Sequence, residues 1–200
     1  MDEKRIVFLY HVTGRGTKKL SSLKSGDQMK ILGPLGNGFY IKDIIRKNIA
    51  IITGGIGIAP MLYLAENIRE KIKADKLLYR DYKLDLYAGF RDNTYCMEEF
   101  NSLVDNIYIS TETGLEGKKG YITDIFNPEK YDVVLCCGPQ VMMKKVVNMC
   151  REKQVTVYVS MENRMACGIG ACLVCICNTI GGNKRVCRDG PVFLGTDIVI

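Results

Sequence analysis

The sequence predicts an α/β protein: a parallel sheet with helices on its faces, preceded by two strand-like runs and followed by a cysteine-rich tail. Three observations carry that prediction. Between residues 47 and 160, short apolar runs alternate with helical periods, the pattern of strand–helix units whose crossovers cover a parallel sheet. Two of the strand–helix junctions are glycine-rich, TGGIGIAP and CCGPQ. The stretch RMACGIGACLVCICNTIGGNKRVCRDG, Arg164 to Gly190, gathers five of the nine cysteines.

Taken in order, residues 1–46 contain RIVFLYHV and DQMKILG, two strand-like runs joined by the turn-rich TGRGTKKLSSLKSG. NIAIITGG reads as a buried strand. PMLYLAENIREKIKAD follows it with Met61, Leu64, Ala65, Ile68 and Ile72 at helical spacing. KLDLYAGF, NIYIST, YDVVLCCG and VTVYVS read as further strands. Between the last two, PQVMMKKVVNMC sets Met142, Met143, Val146, Val147 and Cys150 on one helical face. Residues 161–200 are rich in Cys and Gly and have little room for a core of their own. The expected division is therefore 1–46, 47–160 and 161–200, with no internal repeat.

The bulk composition narrows the function. Two hundred residues, 47% hydrophobic and 25% charged, are ordinary for a globular protein with a proper core. No apolar run is long enough to span a membrane, and the start lacks the cleavage site of a signal peptide. The net charge of +6 is spread along the chain. It suits anionic cofactors or an acidic partner, and no aromatic-plus-basic motif points to nucleic acid. Nine cysteines without an export signal point to a reducing, cytoplasmic setting, where clustered thiols hold a metal or do redox work.

Cys167, Cys172, Cys175 and Cys187 give C-x4-C-x2-C-x11-C. The opening of that pattern is the plant-type 2Fe–2S spacing, with a distant fourth thiolate. Gly168 and Gly170 let the loop curl closely and supply amide donors to cluster sulfurs. The plainer alternative is a zinc knuckle, but zinc sites favour paired C-x2-C elements and this chain has one. Cys177 breaks the spacing and reads as a small buried side chain, as do Cys96, Cys136 and Cys150. Lys184, Arg185 and Arg188 read as a solvated basic loop.

In TGGIGIAP, Gly54, Gly55 and Gly57 let backbone amides approach a pyrophosphate at a helix N-terminus, and Pro60 suits a first helical turn. A Cβ at Gly55 or Gly57 is expected to obstruct that approach. Alone the turn is weak evidence, since tight turns use glycine for steric reasons and this is not G-x-G-x-x-G. The second turn, Gly138 and Pro139, ends a later strand. Ligands of open parallel sheets sit at strand carboxyl ends, so both turns face one crevice, with Cys137 placed as the catalytic-site residue beside a nicotinamide ring.

With these features in hand, the chain resembles the electron-transfer subunits of NAD-dependent, B-type dihydroorotate dehydrogenase, within the ferredoxin–NADP reductase superfamily. GRGTKKLS, GPLGNGF, TGGIGIAP, CGP and above all MENRMACGIGACLVCICN…KRVCRDGPVF carry the resemblance, in order along the whole chain. It implies a truncated FAD-binding β-barrel over 1–46, an NAD-binding parallel-sheet domain and a small iron–sulfur domain. It further implies FAD contacts at Leu9, Tyr10, His11, Gly16 and Thr17, and a 2Fe–2S cluster on Cys167, Cys172, Cys175 and Cys187. The implied partner is an FMN-containing catalytic subunit, two copies of each, with electrons running from dihydroorotate through FMN, the cluster and FAD to NAD in pyrimidine synthesis. Three departures stand out: no Arg-Pro-x-Ser flavin motif, His11 where the family often has arginine, and STETGLEG in place of an Asp-Gly-Ser version. The competing readings are a related reductase subunit, of the sulfide dehydrogenase or NAD(P)H–ferredoxin type, and a zinc-stabilised binding module.

Overall fold

In the computed structural model, which describes residues 6–40, 42, 48–74 and 82–200, TGRGTKKLSS carries a helix, α1 (Arg15–Ser21). The sequence predicts a turn-rich link there. The difference has a local cause. The Thr17 hydroxyl accepts the amides of Thr13 (3.0 Å) and Gly14 (3.1 Å), satisfying donors at the helix start. Neither RIVFLYHV nor DQMKILG forms a ladder among the described residues. Their β-branched and aromatic composition favours strands only where a neighbour supplies hydrogen bonds and covers a face. Here Ile6, Val7, Ile31 and Leu32 are exposed.

The chain divides into two compact units, Met1–Pro34 and Leu35–Ile200. The second is built on a seven-stranded sheet in the order β4-β3-β2-β1-β5-β6-β9. Its strands are β1 (Ile49–Gly54), β2 (Leu84–Phe90), β3 (Asn106–Thr111), β4 (Lys118–Lys119), β5 (Val133–Cys137), β6 (Thr156–Ser160) and β9 (Val192–Leu194). β1 to β6 run parallel, and β9 pairs antiparallel with β6. A two-stranded antiparallel ribbon, β7 (Ile176–Thr179) with β8 (Gly182–Arg185), stands apart from it.

β1 is buried at every residue, which is why it reads as an unbroken apolar run rather than an alternating one. Ile49 and Ile51 face the side covered by α2 (Ile58–Ala74), and Ala50 and Ile52 face the side covered by α3 (Gln140–Glu152). On α2 the five residues picked by spacing, Met61, Leu64, Ala65, Ile68 and Ile72, are all buried. On α3, Met143, Val146, Val147 and Cys150 are buried, while Met142 lies at the rim of a cavity. Each fully buried Ile or Leu in this double core contributes about 2–3 kcal/mol.

The C-terminal residues do not form a core of their own. Cys175, Cys177, Val186, Cys187 and Ile198 join the same apolar cluster as α3 and β5, and β9 extends the main sheet. The cysteine segment is thereby fixed to the rigid α/β body.

Candidate functional site

β1 and β5 are neighbours in the sheet but far apart in the chain, so the strand order reverses between them. A crevice opens at the carboxyl ends of the strands at such a switch point. A cavity of about 580 Å³ lies there, bordered by Gly54 and Gly55 at the end of β1, Phe90 and Arg91 at the end of β2, Glu112 after β3 and Pro139 after β5. Two buried hydroxyls at the same strand ends, Thr53 Oγ1 and Ser110 Oγ, have no hydrogen-bond partner among the described residues, and Ser110 lines the cavity. Orphaned buried donors beside a cavity fit a polar ligand that completes them. Lys145, also on the wall, is tied to Asp124 at 2.7 Å, which leaves Arg91 as the more open cation.

The glycines of the two turns serve contacts that spacing does not reveal. A Cβ on Gly57 would stand 2.3 Å from the Cys137 carbonyl oxygen and 2.8 Å from Gly138 Cα. On Gly54 it would meet Pro139 Cδ at 2.6 Å. The two turns are thus packed backbone to backbone, and Gly57 is required first by that contact. Gly55, with φ of +52°, lines the cavity, and a Cβ there would meet only the Tyr95 hydroxyl at 3.7 Å, so its backbone is the one placed to approach a ligand. Cys137 does not line this cavity. Its thiol is pushed up to about 11 by burial, offset in part by a hydrogen bond with Ser160, and Glu162 lies close enough to raise it further. A second cavity of about 600 Å³ opens on the other side of the Gly138–Pro139 turn, toward Met161, Arg164 and Cys177.

Among the described residues, no three Cys, His, Asp or Glu side chains converge on one metal position. The four cysteines form two pairs instead. Cys167 is joined to Cys172, and Cys175 to Cys187, by an amide-to-sulfur hydrogen bond within each pair. A binuclear iron–sulfur group needs two thiolates for each iron, whereas a zinc knuckle needs four at one point. Backbone amides crowd the sulfurs. The Cys172 amide donates to Cys167 Sγ at 3.4 Å and the Cys187 amide to Cys175 Sγ at 3.5 Å. Foremost through its Cys172 amide, and then through the Cys172 thiol and the amides of Ile169 and Ala171, Cys167 is held down at about 6. Cys175 is lowered chiefly by the Cys187 amide, while sharing a proton with Cys175 raises Cys187. The curl that aims these amides inward comes from Gly168, Gly170 and Leu173, all at positive φ. One pair, Cys175 and Cys187, is buried, and Cys172 of the other is exposed.

In the N-terminal unit, Leu9, Tyr10 and His11 are exposed, and Gly16 and Thr17 lie in the first turn of α1. The Thr17 hydroxyl also donates to the Gly14 carbonyl at 3.2 Å, so its side chain is committed to the helix start and its backbone is what remains for a ligand. Cys136 and Cys150 are fully buried and Cys177 nearly so, as expected of core thiols; Cys96 is half-buried. Thr53 opens TGGIGIAP and Ser110 and Glu112 fall in STETGLEG, but no spacing signal in the sequence gives these side chains a role.

Comparison with known proteins places these features. The family model for the iron–sulfur cluster binding domain of dihydroorotate dehydrogenase B matches residues 162–199. Over 199 residues the chain is 53% identical to the dihydroorotate dehydrogenase B (NAD(+)) electron transfer subunit of Clostridium acetobutylicum, covering 100% of this chain and 76% of that protein. The same-named subunit of Clostridium perfringens is 53% identical, over 96% of this chain and 74% of its own length. That of Caldanaerobacter subterraneus is 40% identical, over 99% and 77%. Among solved structures, an NADH-dependent reduced ferredoxin-NADP oxidoreductase described for flavin-based electron bifurcation superimposes with a TM-score of 0.79 at 29% identity. It covers 95% of this chain and 67% of that one.

Proposed function

The chain belongs to the family of dihydroorotate dehydrogenase B (NAD(+)) electron transfer subunits, and from that premise we propose that it carries electrons between an FMN-containing dihydroorotate-oxidising subunit and NAD, in the cytoplasm, as two copies of each chain. The observation that carries the reading is the arrangement of Cys167, Cys172, Cys175 and Cys187 as two amide-crowded sulfur pairs on the flank of a dinucleotide-type sheet. When bound, the flavin converts between the two-electron chemistry of NAD and the one-electron chemistry of the iron–sulfur group.

The residues of the chain supply position and electrostatics. Residues 47–160 hold NAD. The amide of Gly55 and the start of α2 face the pyrophosphate, with Arg91 nearby to balance its charge. Ser110 completes its hydrogen bonding on the ligand, and Glu112 accepts from ribose hydroxyls while repelling an added phosphate, which supports NAD over its phosphorylated form. Gly138 and Pro139 shape the floor of the crevice, and Cys137 sits behind them toward the nicotinamide end. Leu9, Tyr10, His11, Gly16 and Thr17 in residues 1–46 contact FAD. Residues 161–200 hold the 2Fe–2S group through the four cysteines. Around the exposed Cys172, the side chains of Met165, Ile169, Leu173 and Val174 are exposed too. An apolar rim of this kind excludes water when a partner covers it.

Co-production with the catalytic subunit tests the reading. The expected result is a stable complex with iron and acid-labile sulfide in equal amounts, reducing NAD only when dihydroorotate is present. Zinc in place of iron, or dihydroorotate oxidation that never reaches NAD, would overturn it.

A further inference from the structure

Arg185 ends β8, two residues before Cys187. Read from sequence it is one of three cations on a solvated loop, yet its side chain is mostly covered and fully engaged. Nε and Nη2 donate to the two carboxylate oxygens of Asp189 at 3.0 and 3.1 Å, and the Arg185 amide donates to the same carboxylate at 2.8 Å. Nη1 donates to the carbonyl oxygen of Gly170 at 3.3 Å. Gly170 lies in the first cysteine loop, between Cys167 and Cys172, so the guanidinium fork joins that loop to the turn bearing Cys187. The turn is closed by the same residue, whose carbonyl accepts the amides of Arg188 and Asp189 at 3.2 and 2.7 Å. Contact is close enough that a Cβ on Gly170 would meet Arg188 Cδ at 2.9 Å.

We propose that Arg185 is a positioning residue of the iron–sulfur group, and that the Arg185–Asp189 pair sets its reduction potential. The inference rests on the reading of the four cysteines as cluster ligands. Its physical basis is twofold. A planar fork holding a carboxylate bidentately fixes its own orientation, so the third donor fixes Gly170 and with it the spacing of the two sulfur pairs. A fixed positive charge near the Cys175 and Cys187 sulfurs stabilises the state of higher negative charge, and reduction adds one electron to a group already held by four thiolates. Asp189 carries the opposite charge and is bonded to two nitrogens of the fork. The pair therefore acts as an oriented dipole, and each member is expected to move the potential in the opposite sense.

The test is a dithionite titration of the full chain in complex with its catalytic subunit, followed by the paramagnetic signal of the reduced cluster and by iron and sulfide content. Arg185→Gln is expected to make reduction about tenfold less favourable, equivalent to about 59 mV for a one-electron couple, and to lose iron faster to a chelator. Asp189→Asn is expected to shift the potential the other way. Arg185→Lys keeps the charge and loses the fork, so the potential stays near that of the unaltered protein while iron retention falls. Opposite shifts in the Gln and Asn variants support the inference; shifts in the same direction, or none in both with the cluster intact, overturn it. Absence of iron and sulfide from the unaltered complex would overturn the cluster reading itself, a distinguishable failure.

Discussion

The thiols of the sheet and the thiols of the tail are the same chemical group in opposite environments. Burial pushes Cys136 far up, Cys137 to about 11 and Cys150 to about 12, because nothing nearby compensates a thiolate enough to offset desolvation. In the tail, the Cys172 amide and its neighbours bring Cys167 down to about 6, and the Cys187 amide lowers Cys175. Burial alone does not decide what a cysteine is for; the supply of amide donors does. The sheet uses cysteine as a small apolar filler, and the glycine-bearing loop supplies the thiols proposed here as cluster ligands.

The contrast predicts its own largest effect. Cys175→Ser or Cys187→Ser should abolish or reshape the reduced-cluster signal and reduce bound iron to near background. Cys150→Ala should leave iron content unchanged and lower stability by only about 1–2 kcal/mol, the range for a small core deletion. Iron analysis beside chemical denaturation reads both. A normal cluster in Cys187→Ser would end the distinction drawn between the two regions.

Next in size is the junction of the two glycine turns. Gly57→Val drives a side chain into the Cys137 carbonyl and Gly138, which cannot yield without moving the end of β5. The expected cost is upwards of about 3 kcal/mol, with NADH binding lost as a consequence. This differs from a pure phosphate obstruction, which would weaken binding at unchanged stability. Thermal unfolding together with NADH titration separates the two, and unchanged stability would show that the turns are less tightly packed than the structure has them.

A smaller effect comes from pH. An unfolded thiol titrates near 8.5, while Cys137 and Cys150 titrate at about 11 and about 12 in the folded protein. Between those values the unfolded state has released protons that the folded state still holds, so stability falls as pH rises. The contribution is intact below about pH 8 and lost progressively toward about 12. Denaturation midpoints measured across that window should decline, and Cys150→Ala should flatten part of the decline. A slope unaffected by the substitution would mean that Cys150 is better solvated than its burial indicates.

Much of this was legible in the sequence, and the reasons are local. β1, β2 and β5 announce themselves because a strand buried on both faces is apolar throughout, and α2 and α3 because their buried residues recur at helical spacing. The cysteines proposed as ligands are legible because cluster geometry dictates their separation. What stayed hidden depends on residues far apart in the chain. RIVFLYHV has strand composition, but a strand needs a neighbour, and none is bonded to it among the described residues. β9 is three residues long and exists because β6 offers it an edge. Gly57 answers to Cys137, eighty positions away, and Arg185 to Gly170, across the loop.

Cys177 tests the comparison at its boundary and carries the smallest expected effect. It lies on β7, two residues from the proposed ligand Cys175, yet its thiol is raised by burial, as in the sheet, with only its own amide working against that. Proximity in sequence would make it a substitute ligand; its environment makes it a filler. Cys177→Ser should therefore leave iron, sulfide and the reduced-cluster signal unchanged. The serine hydroxyl would be more polar than the site favours, but Cys177 borders the second cavity, where a water can meet it, so the cost should stay near about 1 kcal/mol, or about 3 °C in Tm for a chain of this size. A loss of cluster in this variant, with the fold intact by circular dichroism, would mean that the amide supply around Cys175 extends one residue pair further along β7 than the structure shows, and the ligand set would have to be redrawn.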